Sequence, residues 1–328
     1  MSSSGTRSGL LAAGNFIIDH LRSVDAFPAE GTLATIFEES FSNGGGPYNV
    51  LKGLAKLRAP FPLHALGLIG EDADGDWIWE DLSSHGIDIS RMRRTALAPT
   101  SYTEVMSSRE NKQRTFFHRQ GANALLDVEH FDFTHGNARL FYFGYLLLLE
   151  RLDETDPEFG TRAARVLSKA RESGLFTITD CVSRQNGRFK EIVLPALPYV
   201  DLCILNDFEA EQTTGIALRK NGVINHDALQ QVGQILFAAG VHQWVVIHFP
   251  EGAFGMEKNG QVSMAQAVPV DPAAIVGSNG AGDAFAAGVI LSLHEGGGLQ
   301  QSLEWGCDTA AASLLHSSAS DGIQPRLQ

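Results

Sequence analysis

The residues best suited to chemistry lie in Gly277-Ser278-Asn279-Gly280-Ala281-Gly282-Asp283-Ala284-Phe285, a glycine-rich turn that meets an acid and runs into an apolar helical pattern. Glycines let backbone N–H groups converge on an anion, and the start of a helix adds partial positive charge there. Asp283 brings a carboxylate to the same place, so an anion hole and a candidate base coincide. That combination suits phosphoryl transfer. A plainer reading makes Asp283 a helix cap, a task Asp favours. The turn is not a Walker loop, because no Lys-Ser or Lys-Thr follows the glycines, and it lacks the Gly-x-Gly-x-x-Gly dinucleotide form.

Three further stretches offer binding chemistry or ordinary local structure. Gly44-Gly45-Gly46-Pro47-Tyr48-Asn49 is a second glycine turn at a helix start, either a close-approach site with Asn49 as polyol contact or a tight turn with Pro in the first helical turn. Gly14-Asn15-Phe16-Ile17-Ile18-Asp19 reads as one strand, with Asp19 placed to accept bonds from paired hydroxyls or to satisfy a turn. Asn206-Asp207-Phe208-Glu209 follows a strand, at the sheet edge where open α/β folds bind ligands. Glu209 can hold a hydrated Mg²⁺ there, or close a capping box with Asn206.

Short β-type runs alternate with helical patterns and must position these groups. Expected strands are 63–69, 140–143, 176–180, 202–205 and 244–248; expected helices are 48–57, 76–85, 160–173, 227–239, 283–294 and 299–316. The rhythm implies a doubly wound, mostly parallel sheet flanked by helices. Segments 16–42 and 98–120 break it and read as inserted antiparallel strands, a small β-sheet lid on a single domain spanning 1–328. Residues 1–9, rich in Ser and Gly, read as a disordered tail.

Composition narrows the class. A chain of 328 residues that is 44% hydrophobic can bury a large core, and no apolar run reaches membrane-spanning length. The net charge of −13 argues against nucleic-acid and anionic-membrane partners and for small-molecule chemistry. Cys181, Cys203 and Cys307 are odd in number and far apart, which fits a reducing cytoplasm and no disulfide or zinc framework.

Taken together, the motifs resemble those of the ribokinase-like (PfkB) carbohydrate kinase family. Gly14 to Asp19, Gly44-Gly45 with Asn49, Gly67-Leu68-Ile69-Gly70-Glu71-Asp72 with Gly75 and Gly86-Ile87, Gly121-Ala122-Asn123, Asn206-x-x-Glu209 and Gly280-Ala281-Gly282-Asp283 occur in the family's order. The resemblance implies ATP and Mg²⁺ as cofactors, Asp283 as base toward a primary alcohol, and Gly280, Ala281 and Gly282 as anion hole. By the same resemblance Asn206 and Glu209 position Mg²⁺ and phosphates, with Glu209 on the metal side, while Asn279 and Gly252 lie beside the nucleotide. Asp19, Gly45, Gly46, Asn49 and Glu150 are implied as sugar contacts, and the lid as a homodimer contact. The expected activity is an ATP-dependent sugar or polyol kinase, with a nucleoside kinase or a non-catalytic sugar-binding regulator as alternatives.

Three departures stand out. Gly277 replaces the usual acidic or polar residue, which argues against activation by a monovalent cation. Gly46-Pro47 lacks the lysine of ribose-specific relatives. His248-Phe249-Pro250-Glu251-Gly252 is bulky and acidic where a small loop is expected beside the nucleotide phosphates. Arg114 and His118, in the second lid segment, are candidates for a substrate phosphate or carboxylate as well as for solvated lid residues.

Overall fold

Strand β1 (Leu10–Gly14) reads Leu-Leu-Ala-Ala-Gly and is buried at every position, as expected of a central strand covered on both faces. Its side chains alternate between two cores: Leu10 and Ala12 pack into one, Leu11 and Ala13 into the other. In the computed structural model, which describes residues 7–325 apart from 112, 135, 186 and 187, the chain builds outward from this strand. It continues through β2 (Ile17–Val24), β3 (Ile36–Gly44), α1 (Gly46–Lys56), β4 (Leu63–Gly70), α2 (Ala73–Ser84), β5 (Asp88–Thr95), β6 (Ser101–Ser108) and β7 (Arg114–Arg119). Next come β8 (Leu140–Leu146), the short β9 (Thr155–Asp156) and β10 (Gly160–Thr161), α3 (Arg162–Glu172), β11 (Phe176–Cys181), α4 (Phe189–Ala196), β12 (Leu202–Asn206) and α5 (Asp207–Thr214). The chain closes with β13 (Arg219–Lys220), β14 (Val223–Ile224), α6 (His226–Ala238), β15 (Trp244–Phe249), β16 (Gly252–Glu257), β17 (Val262–Gln266), α7 (Ala281–His294) and α8 (Leu299–Ser313).

The large sheet has the order β17-β16-β15-β12-β11-β8-β1-β4-β5. Its pairs are parallel from β5 to β15, and only β15-β16 and β16-β17 are antiparallel. Helices cover both faces, so the α/β doubly wound, mostly parallel architecture expected from the rhythm is the one observed. A second sheet, β3-β2-β6-β7, stands apart, and its strands fall within segments 16–44 and 101–119.

Register assigns the small sheet two chemically different faces. Ser42, Asp19, Thr103 and His118 are directly opposite one another and share the face toward the large sheet's ligand edge. Phe41, His20, Glu104 and Phe117 share the other, where Phe41 and Phe117 are exposed.

Two expectations need correction here. Gly14 to Asp19 is not one strand: β1 ends at Gly14, and β2 starts at Ile17 in the other sheet. Gly14 has φ of 128°, and a Cβ there would lie 1.8 Å from the Gly144 carbonyl oxygen, so the chain can leave the large sheet at this point only as glycine. Of the expected tail, residues 1–6 lie outside the described residues, but the next three are tied down. Arg7 Nη1 donates to Ser173 O at 2.6 Å, Ser8 N to Asn137 O at 2.8 Å and Gly9 N to His294 Nε2 at 3.0 Å.

Candidate active site

A cavity of about 970 Å³ opens where the parallel strands end, between the large sheet and the inner face of the small one. The chain ends of β8, β11, β12 and β15 deliver Tyr145, Asp180, Asn206 and His248 to it, at the carboxyl edge where open α/β sheets hold ligands. The small sheet contributes Asp19, Thr103, Phe116 and His118, and the turn before α7 contributes Ser278 to Asp283.

Asp283 sits in the first turn of α7 and does not cap it. The N-cap is Gly280, in the left-handed conformation at φ 74°, and no side chain caps the helix. A Cβ at Gly280 would meet Ala319 Cβ at 2.3 Å, so both strain and space require glycine. The first amides of α7 therefore face the cavity without side-chain acceptors. A Cβ at Gly282 would lie 3.2 Å from His248 Cε1, a tight contact that a small shift of the imidazole would have to relieve.

The Asp283 carboxylate is instead held from the side. Asn49 Nδ2 donates to Oδ2 at 2.7 Å, and Tyr145 Oη lies 2.7 Å from both oxygens. Burial pushes its pKa up to about 6, while the bonds from Asn49 and Tyr145 pull the other way. Asn49 is itself oriented by Asn43, whose Nδ2 donates to Asn49 Oδ1 at 2.5 Å and whose Oδ1 accepts from Ser320 at 3.0 Å. Four residues from three distant parts of the chain thus aim one carboxylate.

Asp19 is buried on β2 and accepts from Asn279 Nδ2 at 2.9 Å. Burial raises its pKa to about 7, and the nearby Asp283 charge adds to the rise. Gly45 caps α1 at φ 86°, with its Cβ position 2.4 Å from Asn15 O, and lines the cavity beside Asn49.

Asn206 and Glu209 realise the capping box. Asn206 Oδ1 accepts from Glu209 N at 2.8 Å, and Glu209 Oε2 accepts from Asn206 N at 2.9 Å. Glu209 Oε1 also accepts from Ser183 Oγ and Asn206 Nδ2. Both residues nevertheless line the cavity, and burial lifts the Glu209 pKa to about 7. Close by in charge, Asp180 is buried with Tyr142 Oη donating to Oδ2, while Oδ1 has no partner; burial and Asp283 push its pKa well up. No cluster of three or more His, Cys, Asp or Glu side chains able to hold a metal occurs among the described residues. Glu209 and the unpartnered Asp180 oxygen fit Mg²⁺ held largely through water and phosphate, which is how that ion is commonly bound.

Three expected contacts do not reach the cavity. Glu150 is exposed: Asp153 accepts from the amides of Leu147 and Leu149 at 3.1 and 3.2 Å, and the resulting turn directs residue 150 outward. Gly46 packs beneath Tyr142 and Tyr145, each 2.8 Å from its Cβ position, so it admits the tyrosines rather than a ligand. Gly252 is a ladder residue of β16, opposite Phe249 and Gln266, and is glycine because Ala265 O lies 2.1 Å from its Cβ position. Asn279 lines the cavity and donates its Nδ2 to Asp19 Oδ2 at 2.9 Å. Glu251 is drawn away by Arg219, which donates to both its oxygens at 2.8 Å and also bonds Asp207.

Tyr145 and Asp180 escaped the sequence reading. Asp180 is the last residue of an expected strand, so the strand-end rule could have nominated it. Tyr145 lay beyond the expected end of β8, with no local signal pointing to it.

The sequence model of the pfkB family carbohydrate kinases matches residues 8–326. A 5-dehydro-2-deoxygluconokinase of Clostridium perfringens is 23% identical over 287 residues, covering 85% of this chain and 80% of its own. An adenosine kinase of Schizosaccharomyces pombe is 25% identical over 300 residues, covering 87% and 84%. The structure of Arabidopsis thaliana ribokinase complexed with ribose and ATP superposes with a TM-score of 0.77 at 20% identity, covering 97% of this chain and 96% of its own.

Proposed function

The chain belongs to the pfkB family of carbohydrate kinases, and from that premise we propose that it transfers the γ-phosphoryl group of ATP to a primary hydroxyl of a small sugar or polyol, with Asp283 as general base. The observation that carries this reading is the Asp283 carboxylate: buried, free of capping duty, held by Asn49 and Tyr145, and set in the first turn of α7, whose amides no side chain caps.

A sugar hydroxyl is a poor nucleophile and the transferring group is anionic, so positioning and charge stabilisation supply most of the acceleration. Asp283 accepts the hydroxyl proton as the new oxygen–phosphorus bond forms and the bond to the β,γ-bridging oxygen breaks. The first-turn amides of α7 take the phosphoryl oxygens, aided by the helix dipole. Asp19, Gly45 and Asn49 supply acceptors, donors and close backbone approach for the polyol. Mg²⁺, when bound through Glu209 and Asp180, supplies positive charge against the phosphates. The small sheet acts as a lid that keeps water from competing as acceptor, and its exposed face, with Phe41 and Phe117, supports a homodimer.

The test is ADP formation. With Mg-ATP and a panel of sugars, polyols and sugar acids, acceptor-dependent ADP release is expected and should vanish with chelator. A panel that binds acceptors yet releases no ADP would leave a binding protein instead.

A further inference from the structure

Arg114 is a half-buried arginine without an ion-pair partner among the described residues. Its Nη1 is fully buried and bonds nothing, and its Nη2 reaches only the Val276 carbonyl, at 3.4 Å. A desolvated guanidinium N–H left unpaired is costly and calls for an acceptor. The side chain crosses from β7 to the turn before α7 and fills the space a residue 277 side chain would take: a Cβ on Gly277 would lie 1.8 Å from Nη2. Asp19, the proposed hydroxyl contact, is the acid whose charge it feels.

Its neighbour on the same face, His118, repeats the pattern. Nδ1 meets Thr103 Oγ1 at 3.0 Å, whereas Nε2 is buried and unpartnered at the cavity wall. Arg119 and Arg184 line the cavity itself, Arg184 within His118's field, whereas Arg114 stands at its rim, two positions before the lining Phe116 and against Gly277, the neighbour of the lining Ser278. Four acids, Asp19, Asp180, Glu209 and Asp283, line the same space. A second anion brought in by the acceptor is tolerated there only beside a fixed cation.

We propose that the phosphoryl acceptor carries an anionic group, a carboxylate or a phosphate, that Arg114 binds, and that Gly277 exists to make room for this arginine. The proposal rests on the kinase reading for the identity of the site, and it names the acceptor's chemical class.

Binding to the ligand-free protein is followed by calorimetry and heat stability, separately from turnover, with paired probes: D-gluconate against D-glucitol, and ribose 1-phosphate against ribose. The charged member of at least one pair is expected to bind tenfold or more tightly. Arg114→Gln should erase that preference while leaving the neutral member's affinity within twofold. Gly277→Ala, which displaces only the flexible end of Arg114, should reproduce the loss, and the double variant should be no worse than either single one. Inorganic sulfate should stabilise the wild type more than Arg114→Gln. Equal binding of charged and neutral partners, an equal sulfate response, or a fall in kcat that is the same for both partners overturns the proposal; the last outcome would assign Arg114 to the nucleotide phosphates. Loss of ADP formation with the binding preference intact would strike the kinase reading alone.

Discussion

Two helices, α5 and α7, point their N-termini into the same cleft, and they end there in opposite ways. At α5 the sequence closes on itself: Asn206 and Glu209 satisfy each other's backbone, and Ser183 takes a further carboxylate position. At α7 a left-handed glycine begins the helix, no side chain caps it, and the first-turn acid turns sideways to Asn49 and Tyr145. An N-terminus that is already capped is a scaffold for a charge, while one left open is a socket for an anion. The same ambiguity, cap or chemistry, was present in both sequence motifs; Asn206 and Glu209 form the cap, and Asp283 does not.

The largest effect that would break this contrast is at Asp283. Asp283→Asn is expected to lower kcat by about 10²- to 10⁴-fold, the usual worth of general-base catalysis, without lowering the melting temperature. Steady-state kinetics with an identified acceptor measures it, and wild-type turnover would place α7 in the same structural role as α5. Tyr145→Phe removes one bond that holds the Asp283 pKa down. About a tenfold loss in kcat is expected, on the order of one charge-assisted hydrogen bond, and the acidic limb of the kcat/KM profile should move to higher pH.

Stability against pH sharpens the comparison further. Asp283 is raised to about 6, and Asp19 and Glu209 to about 7, all chiefly by burial. A carboxyl with a raised folded pKa stabilises fully below its unfolded value, roughly 4, and that stability is lost as pH climbs through the folded value. The buried His118 and His248, held down to about 4, act in the opposite direction up to about pH 6.5, so the ligand-free protein is expected to melt at progressively lower temperature chiefly between about pH 6 and about pH 7.5. Asp283→Asn should flatten the lower part of the curve and Glu209→Gln the upper. A melting temperature that rises over that range contradicts the burial of these acids.

The smallest effect belongs to the closed helix. Asn206→Ala is expected to cost about 1 kcal/mol of unfolding free energy, the worth of an N-cap, read from denaturant midpoints. Gly280→Ala at the open helix should cost at least as much, since it adds left-handed strain and a clash with Ala319. A destabilisation of the reverse order would mean that α7 is not built around its glycine.

Much of this was readable in advance. The strands at 63–69, 176–180 and 202–205 and the helix at 283–294 lie within a residue or two of the observed elements, because continuous apolar runs and helical periodicity are local signals. The break at Gly14 was not readable, since it depends on Gly144, a residue 130 positions away that sits 1.8 Å from the Cβ position. Glu150 misled for a similar reason: its direction is set by Asp153 gripping two amides, not by its place after an apolar run.

What the amino-acid order determined by itself was backbone: where glycine frees a turn, where a helix begins, and which runs are apolar enough to be buried strands. Which polar groups remain available was decided only by tertiary structure. Asp283 and Asn49 are 234 positions apart, yet one orients the other, and Arg114 lies over Gly277 across the cleft. Backbone preference arises from neighbours along the chain, whereas desolvation and hydrogen-bond partnership arise from whatever the fold brings within a few ångströms.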